Sequence, residues 1–402
     1  MRHTIGLLSI AAVMFFALAQ LAPAQSSPAA GTVITPDSSI ERLEDIGVRA
    51  HTNILLFIPD KMEFNENGAP IAENPLSLAC IYKLVKQTKG CPKTSKVVPT
   101  GGSNAVALID AYDNPDAATD ITTFASAYGY GTPNFTKVKV GNPGANSGWA
   151  LEESLDIEYA FGMAPNAHIY LVEANSNSSG DLYAAEDKAT SLLQTAGGGE
   201  ASNSWQGGEY GGETSDDSHF KGKGVVYFAS SGDSGGRVGY PSTSPFVVSA
   251  GGTTINRDSN GNFTGESAWS SAGGGPSQYE KRPTYQNIVK KIVGSKRGTP
   301  DFSSEAATAS AVAIYSQYGC GGWCEVGGTS VSSPTLAGIV NAAGAFQTST
   351  TAELTAVYKE YGNKTQYKSW WRDITTGSNG YACGKGYEMC TGVGSPITYK
   401  GK

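Results

Sequence analysis

The chain has 402 residues, a formal net charge of −7, and charged side chains at only 16%, against about 25% in an average globular domain. An acidic balance without any basic cluster argues against a nucleic-acid partner. Glycine is frequent, with 51 residues, and a surface built from Gly, Ser, Thr and Asn changes its charge little on acidification, so it repels itself less at low pH. The length suits one large α/β domain better than several small ones.

Residues 1–24 read as a secretory signal: Arg2, an apolar run from Ile5 to Leu21, then Ala22-Pro23-Ala24 as a cleavage site before Gln25. Cleavage would leave a secreted chain, extracellular or periplasmic, free of the membrane; a retained anchor is the alternative. Residues 25–74 form a short N-terminal segment of unclear role, with a linker-like start and one apolar run, Ile54 to Ile58, that could be a strand. Residues 75–402 form the main domain. There Val106–Ile109, Ile169–Val172 and Val225–Phe228 are short apolar strands separated by helical stretches, the alternation of a parallel sheet.

Between the first two strands, Trp149 to Phe161 predicts a helix that opens after Asn146-Ser147 and ends near Gly162 and Pro165. Glu152 and Asp156, four residues apart, project from one face of it. Like charges at that spacing disfavour the helix unless they share a proton, and a shared proton makes a coupled dyad able to take a proton from a hydroxyl in acid. The bland alternative is a solvated acidic face. Asp233, in Ser230-Ser231-Gly232-Asp233-Ser234-Gly235, lies in the loop after the Val225 strand, where open α/β sheets place their chemistry. Protonated, it could donate to an oxyanion; otherwise it is a turn-forming aspartate.

Farther on, Gly328-Thr329-Ser330-Val331-Ser332-Ser333-Pro334 precedes an apolar helical run. Proline in a first helical turn forfeits no hydrogen bond, and Ser330 there sits in the positive field of a helix end, which favours negative charge developing nearby. A Ser-rich N-cap is the ordinary alternative. A serine nucleophile usually pairs with histidine, but His3, His51, His168 and His219 lie in a leader, an unpatterned segment, a strand and a polar stretch. None has a His-Gly-Thr-like setting. Six cysteines allow fifteen pairings; the simplest joins neighbours, Cys80 to Cys91, Cys320 to Cys324 and Cys383 to Cys390. Zinc fits poorly, since no histidines accompany them.

In chain order, Glu152 and Asp156, Asp233, and Ser330 with Pro334 resemble the sedolisin family of serine-carboxyl peptidases, over roughly residues 75–402. Flanks such as Tyr240-Pro241-Ser242 and Ser249-Ala250-Gly251-Gly252-Thr253 are similar to the family's as well. The resemblance implies a subtilisin-like three-layer α/β fold with a mainly parallel central sheet. It also implies a monomeric, acid-active endopeptidase acting on peptides or unfolded protein. Glu152, backed by Asp156, would be the base, Ser330 the nucleophile and Asp233 the oxyanion donor. The resemblance further implies one calcium ion held by Asp373, Ile374, Gly384, Gly386 and Glu388, although the family usually has Asp where Glu388 stands. Asp110 matches a position where some members carry Glu, and Trp205 a tryptophan beside the active site; a structural role is expected for both. Family members usually carry a long N-terminal prosegment, which some fifty residues are too few to form. The competing reading is a catalytically silent sedolisin-like secreted protein that binds peptides or a cell-surface partner.

Overall fold

The computed structural model describes residues 30–402, so the expected signal lies outside the described residues. The Ala105–Ala111 strand is buried at every position and alternates between two cores. Val106 and Leu108 face the helices Ala117–Ala127, Ser147–Met163 and Thr329–Ala343, whereas Ala105, Ala107 and Ile109 face the helix Ser179–Thr195. A strand covered on both faces has no polar side to present, which is why these strands read as unbroken apolar runs.

Around that strand the sheet runs Phe263–Ala268, Val248–Arg257, Val225–Ser230, Gly199–Asn203, Ala105–Ala111, His168–Ala174 and Phe135–Val140, with Phe302–Glu305 also on Val248–Arg257. Every pairing is parallel except that of the edge strand Phe263–Ala268. This is the three-layer fold expected from the sequence, and the strands at 106–109, 169–172 and 225–228 all lie in its sheet. Strand order reverses at Ala105–Ala111, so a crevice opens beyond the carboxyl ends of this strand and its neighbours.

A second sheet, wholly antiparallel, joins Gly31–Ile34, Leu55–Pro59, Gly322–Gly327 and Val312–Ser316. The N-terminal segment is thereby tied to the strand that leads into Ser330. The helices Ser147–Met163 and Thr329–Ala343 lie side by side, and Gly338 lets them approach: a Cβ there would lie 2.8 Å from both the Ala160 carbonyl oxygen and Met163 Cβ. The three disulfides pair neighbouring cysteines, Cys80–Cys91, Cys320–Cys324 and Cys383–Cys390. Among the described residues no helix is long and apolar enough to cross a membrane.

Candidate active site

The helix expected at 149–161 spans Ser147–Met163, with the Asn146 side chain capping its start through the Trp149 amide. Glu152 and Asp156 share the face turned to the Thr329–Ala343 helix, and both are fully buried rather than solvated. Ser330 is the second residue of that helix and is also fully buried. Asp233 stands in the loop after Val225–Ser230. The fold thus gathers four residues that span 178 positions of sequence, from 152 to 330.

The Ser330 hydroxyl donates to the Ser204 carbonyl at 3.2 Å, and neither Glu152 oxygen has a hydrogen-bond partner. Glu152 and Ser330 are nevertheless close enough for the hydroxyl to favour the ionised carboxylate. Asp156 accepts from the Ser204 hydroxyl at 2.7 Å, and its other oxygen is unpartnered. Asp233 accepts from the Thr329 amide and hydroxyl, each at 2.8 Å, through one oxygen only; the second is buried without a partner.

Pro334 sits differently from the sequence expectation. The helix begins at Thr329, which makes Pro334 its sixth residue rather than part of the first turn. A residue at that depth would normally bond its amide to the Ser330 carbonyl, and proline has none to give. The Ser204 hydroxyl approaches that carbonyl instead, at a long 3.5 Å. Ser204 therefore touches Ser330 twice and Asp156 once.

Burial dominates the electrostatics. It holds the Glu152 carboxyl well above the ordinary carboxylate range, and the negative charges of Asp156 and Asp110 add to the shift. Asp156 is raised by burial and then by Asp110. Asp233 is pushed up to about 7 by burial, against the opposing hydrogen bonds from Thr329. Two carboxyls this close and this dry cannot both ionise, so the dyad holds a proton through the acid range. Asp110 is buried with neither oxygen bonded, opposite Glu173 on the next strand. Trp205 packs in the core and donates its ring N–H to the Ile109 carbonyl at 2.9 Å, a structural role.

No described histidine is hydrogen-bonded to Ser330. His51 bonds the Thr52 carbonyl, His168 bonds Thr136, and His219 bonds Asp187 at 2.9 Å. Residues not singled out in the sequence complete the site. Ser332 bonds the Ser304 amide and hydroxyl, and Ser333 bonds Ser202, so the helix that carries Ser330 is pinned to two strands of the sheet. Asn53 is fully enclosed. Its carbonyl accepts from the Ser330 amide at 3.2 Å, and its own amide donates to the Ser204 carbonyl at 3.2 Å. Only the position of Ser204, directly after the end of a central strand, could have drawn notice to any of these.

Of the proposed calcium residues, Gly384, Gly386 and Glu388 lie in the loop closed by Cys383–Cys390, and Asp373 and Ile374 precede it. Asp373 accepts from the Gly386 amide at 2.9 Å and from the Tyr367 hydroxyl at 3.0 Å. Glu388 accepts from the Cys390 and Thr391 amides and the Thr391 hydroxyl, and burial pushes its carboxyl up to about 7, with the Asp373 charge contributing. Two carboxylates and the carbonyls of Ile374, Gly384 and Gly386 are the oxygen donors that calcium takes. The set fits the ion if Glu388 exchanges its hydrogen bonds for it. Cys383 and Cys390 offer no thiolate, being bonded to each other.

No family model matches the chain. It is 26% identical to xanthomonalisin of Xanthomonas sp. (strain T-22), over 82% of this chain and 46% of that protein. It is 27% identical to kumamolisin of Bacillus sp. (strain MN-32), over 83% and 63%. Sedolisin of Pseudomonas sp. (strain 101) is 23% identical, over 94% and 67%. The chain thus spans about half to two thirds of the length of these relatives. Among solved structures, Pseudomonas sedolisin (serine-carboxyl proteinase) complexed with two molecules of pseudo-iodotyrostatin superposes with a TM-score of 0.69 at 23% identity. That match covers 81% of this chain and 95% of that one. Sphericase superposes at 0.53 and 19%. Both likenesses concern the fold.

Proposed function

We propose, on the premise that the chain belongs to the sedolisin family, that it is an acid-active serine-carboxyl endopeptidase. One observation carries this reading: a buried serine at a helix start lies beside a carboxylate without hydrogen bonds, with a second carboxyl of raised pKa across from it. Ser330 turns its hydroxyl from the Ser204 carbonyl to Glu152 and attacks the scissile carbonyl. Glu152 takes the proton, and Asp156, steadied by Ser204, shares the dyad's remaining proton. The oxyanion accepts from the Ser330 amide and from Asp233, whose unpartnered oxygen carries a proton below about pH 7. The leaving amine recovers the proton from Glu152, and water then hydrolyses the acyl-enzyme.

The substrate is peptide or unfolded protein, and the enzyme works as a monomer outside the cell, where three disulfides are at home. Calcium, held by Asp373, Glu388 and the three carbonyls, would supply charge and rigidity to the C-terminal loop rather than chemistry. Cleavage of unfolded protein across pH 2–8 by wild type beside Ser330→Ala tests the assignment. Hydrolysis confined to wild type and strongest in acid is expected; equal hydrolysis by the variant refutes it.

A further inference from the structure

The backbone contacts of Asn53 show where the residue that carries a scissile carbonyl would sit. Its amide donates to the Ser204 carbonyl, and its own carbonyl accepts from the Ser330 amide, both at 3.2 Å. A Cβ on residue 328 would collide with that carbonyl oxygen and stand 2.8 Å from the free oxygen of Asp233. Gly328, at φ +121°, therefore leaves a carbonyl room beside both the Ser330 amide and Asp233. From this backbone position the side chain is directed to the end of the Val225–Ser230 strand, where the Asn53 nitrogen donates to the Ser230 hydroxyl at 2.7 Å. The pocket for the side chain preceding a cleaved bond thus lies between Ser204 and its strand on one side and the Ser230–Asp233 segment on the other.

Gln206 stands at the far end of this pocket. Its strand, Trp205–Gly208, pairs with Gly239–Tyr240 along one edge. Trp205 turns into the core, so Gln206 turns to the opposite face, in keeping with the two-residue period of a strand. A Cβ on residue 232 would stand 2.6 Å from both the nitrogen and the oxygen of the Gln206 carboxamide, and one on residue 239 would stand 2.7 Å from the oxygen. The carboxamide is wedged between Gly232, the neighbour of Asp233, and Gly239, and any larger residue at either place would displace it. Gln206 is buried, and its carboxamide oxygen accepts no hydrogen bond.

The geometry points to Gln206 as the residue that selects the side chain preceding the cleaved bond; the inference rests on the peptidase reading above. The wedged carboxamide shortens the pocket, so an aromatic ring overfills it. Its bare oxygen also sets a chemical preference, because a buried acceptor without a donor is unfavourable and a substrate N–H or O–H relieves it. Leucine matches asparagine in shape but brings no donor. The favoured substrate is therefore an extended peptide with a short donor side chain, asparagine or serine, before the bond that is cut.

The test gives the purified full chain, in acid, four peptides that differ only in carrying Asn, Ser, Leu or Phe before one bond, with the cut bond identified by product mass and an unfolded protein assayed in parallel. For wild type, kcat/KM with Asn should exceed that with Leu about three- to tenfold, the effect of one neutral hydrogen bond. It should exceed that with Phe about ten- to a hundredfold, the effect of overfilling a packed site. Gln206→Ala deepens the pocket and should bring Phe level with Asn or above it. Gln206→Met keeps the length without the acceptor, and should still exclude Phe while bringing Asn and Leu to near parity. Ratios between peptides within one variant cancel any loss of folded enzyme. The inference is overturned, and the peptidase reading left standing, by any of three results: wild type cutting Phe as readily as Asn, either variant keeping the wild-type ranking, or digestion of the unfolded protein with none of the peptides cut. If wild type cuts neither peptides nor unfolded protein, the peptidase reading falls and takes this inference with it.

Discussion

Replacing Asp233 with Asn separates its ionisation from its hydrogen bond. One Asp233 oxygen accepts both the amide and the hydroxyl of Thr329, so in the variant that place must be taken by the amide oxygen. The NH2 group is then directed where the unpartnered oxygen now lies, and it can still donate to an oxyanion. Removing such a donor outright costs about 10²–10³ in rate; a weaker donor in the same place should cost about tenfold to a hundredfold at pH 4. The distinctive outcome is the pH dependence. With the wild-type carboxyl pushed up to about 7, the donating form prevails below that pH and declines about tenfold per unit above it. The asparagine does not titrate. Dividing the kcat/KM of wild type by that of the variant cancels the dyad's own titration, apart from the small influence of the Asp233 charge on Glu152. The ratio, measured with a peptide substrate from pH 4 to 9, should be level in acid and fall toward one as pH passes 7. A ratio constant across that range would show that Asp233 does not act through its proton.

Ser330→Ala should lower peptidase activity by at least about a thousandfold while leaving the melting temperature nearly unchanged, because the hydroxyl makes one 3.2 Å hydrogen bond; thermal melts beside rate assays check both. Excess calcium should raise the melting temperature over chelator, and Asp373→Ala should abolish the difference, because an ion bound only by the native state stabilises it by mass action; superimposable wild-type curves would refute the site. Glu186→Gln should leave stability unchanged at pH 4 and raise it at pH 8 by several kcal/mol, up to about 5, read from urea unfolding at both pH values. Burial pushes Glu186 up to about 8 with both oxygens unpartnered, the Asn203 side chain opposing and Asp187 adding to the shift. Gly338→Leu should destabilise the protein and reduce activity together, since its side chain would enter the space between the two helices that carry the site.

The parts of the site legible in the sequence are those where residue type and local spacing carry the information. A four-residue interval on a helix puts Glu152 and Asp156 on one face, and Gly-Thr-Ser before an apolar run marks a helix start. Asp233 follows a strand that is visible as Val225–Phe228. Asn53 and Ser204 gave no such signal, because they act largely through backbone groups brought together by tertiary pairing, and any residue type has those. Pro334 misled for a related reason. A proline reads locally as an early helical residue, but here the helix begins five residues before it, and the carbonyl left without an amide faces Ser204, just beyond the end of a distant strand. Glu388 shows the limit in the other direction. Its type suits a cation, yet in the folded loop its oxygens are occupied by Cys390 and Thr391.

The proposed acid catalysis and the expected acid stability share one origin, a store of buried carboxyls without cationic partners. Glu186 and Glu200 are pushed up to about 8 and Asp233 to about 7, all by burial first. For a carboxyl whose folded pKa lies above its unfolded one, both states are neutral at low pH, and the folded state carries no penalty. As pH rises through the unfolded pKa, near 4, the unfolded chain sheds protons that the folded chain must keep, and stability declines until the folded pKa is passed. Several such groups make neutral pH a destabilising condition and acid a favourable one. The same desolvation that makes Glu186 costly at pH 8 keeps a proton on Asp233 and one within the dyad. A substitution that lowers these pKa values, such as a lysine placed beside the dyad, should therefore shift the activity profile to lower pH while lessening the loss of stability at neutral pH. A histidine-based serine peptidase would not couple them in this way, since its base must be neutral to work and its core need hold no protonated acids.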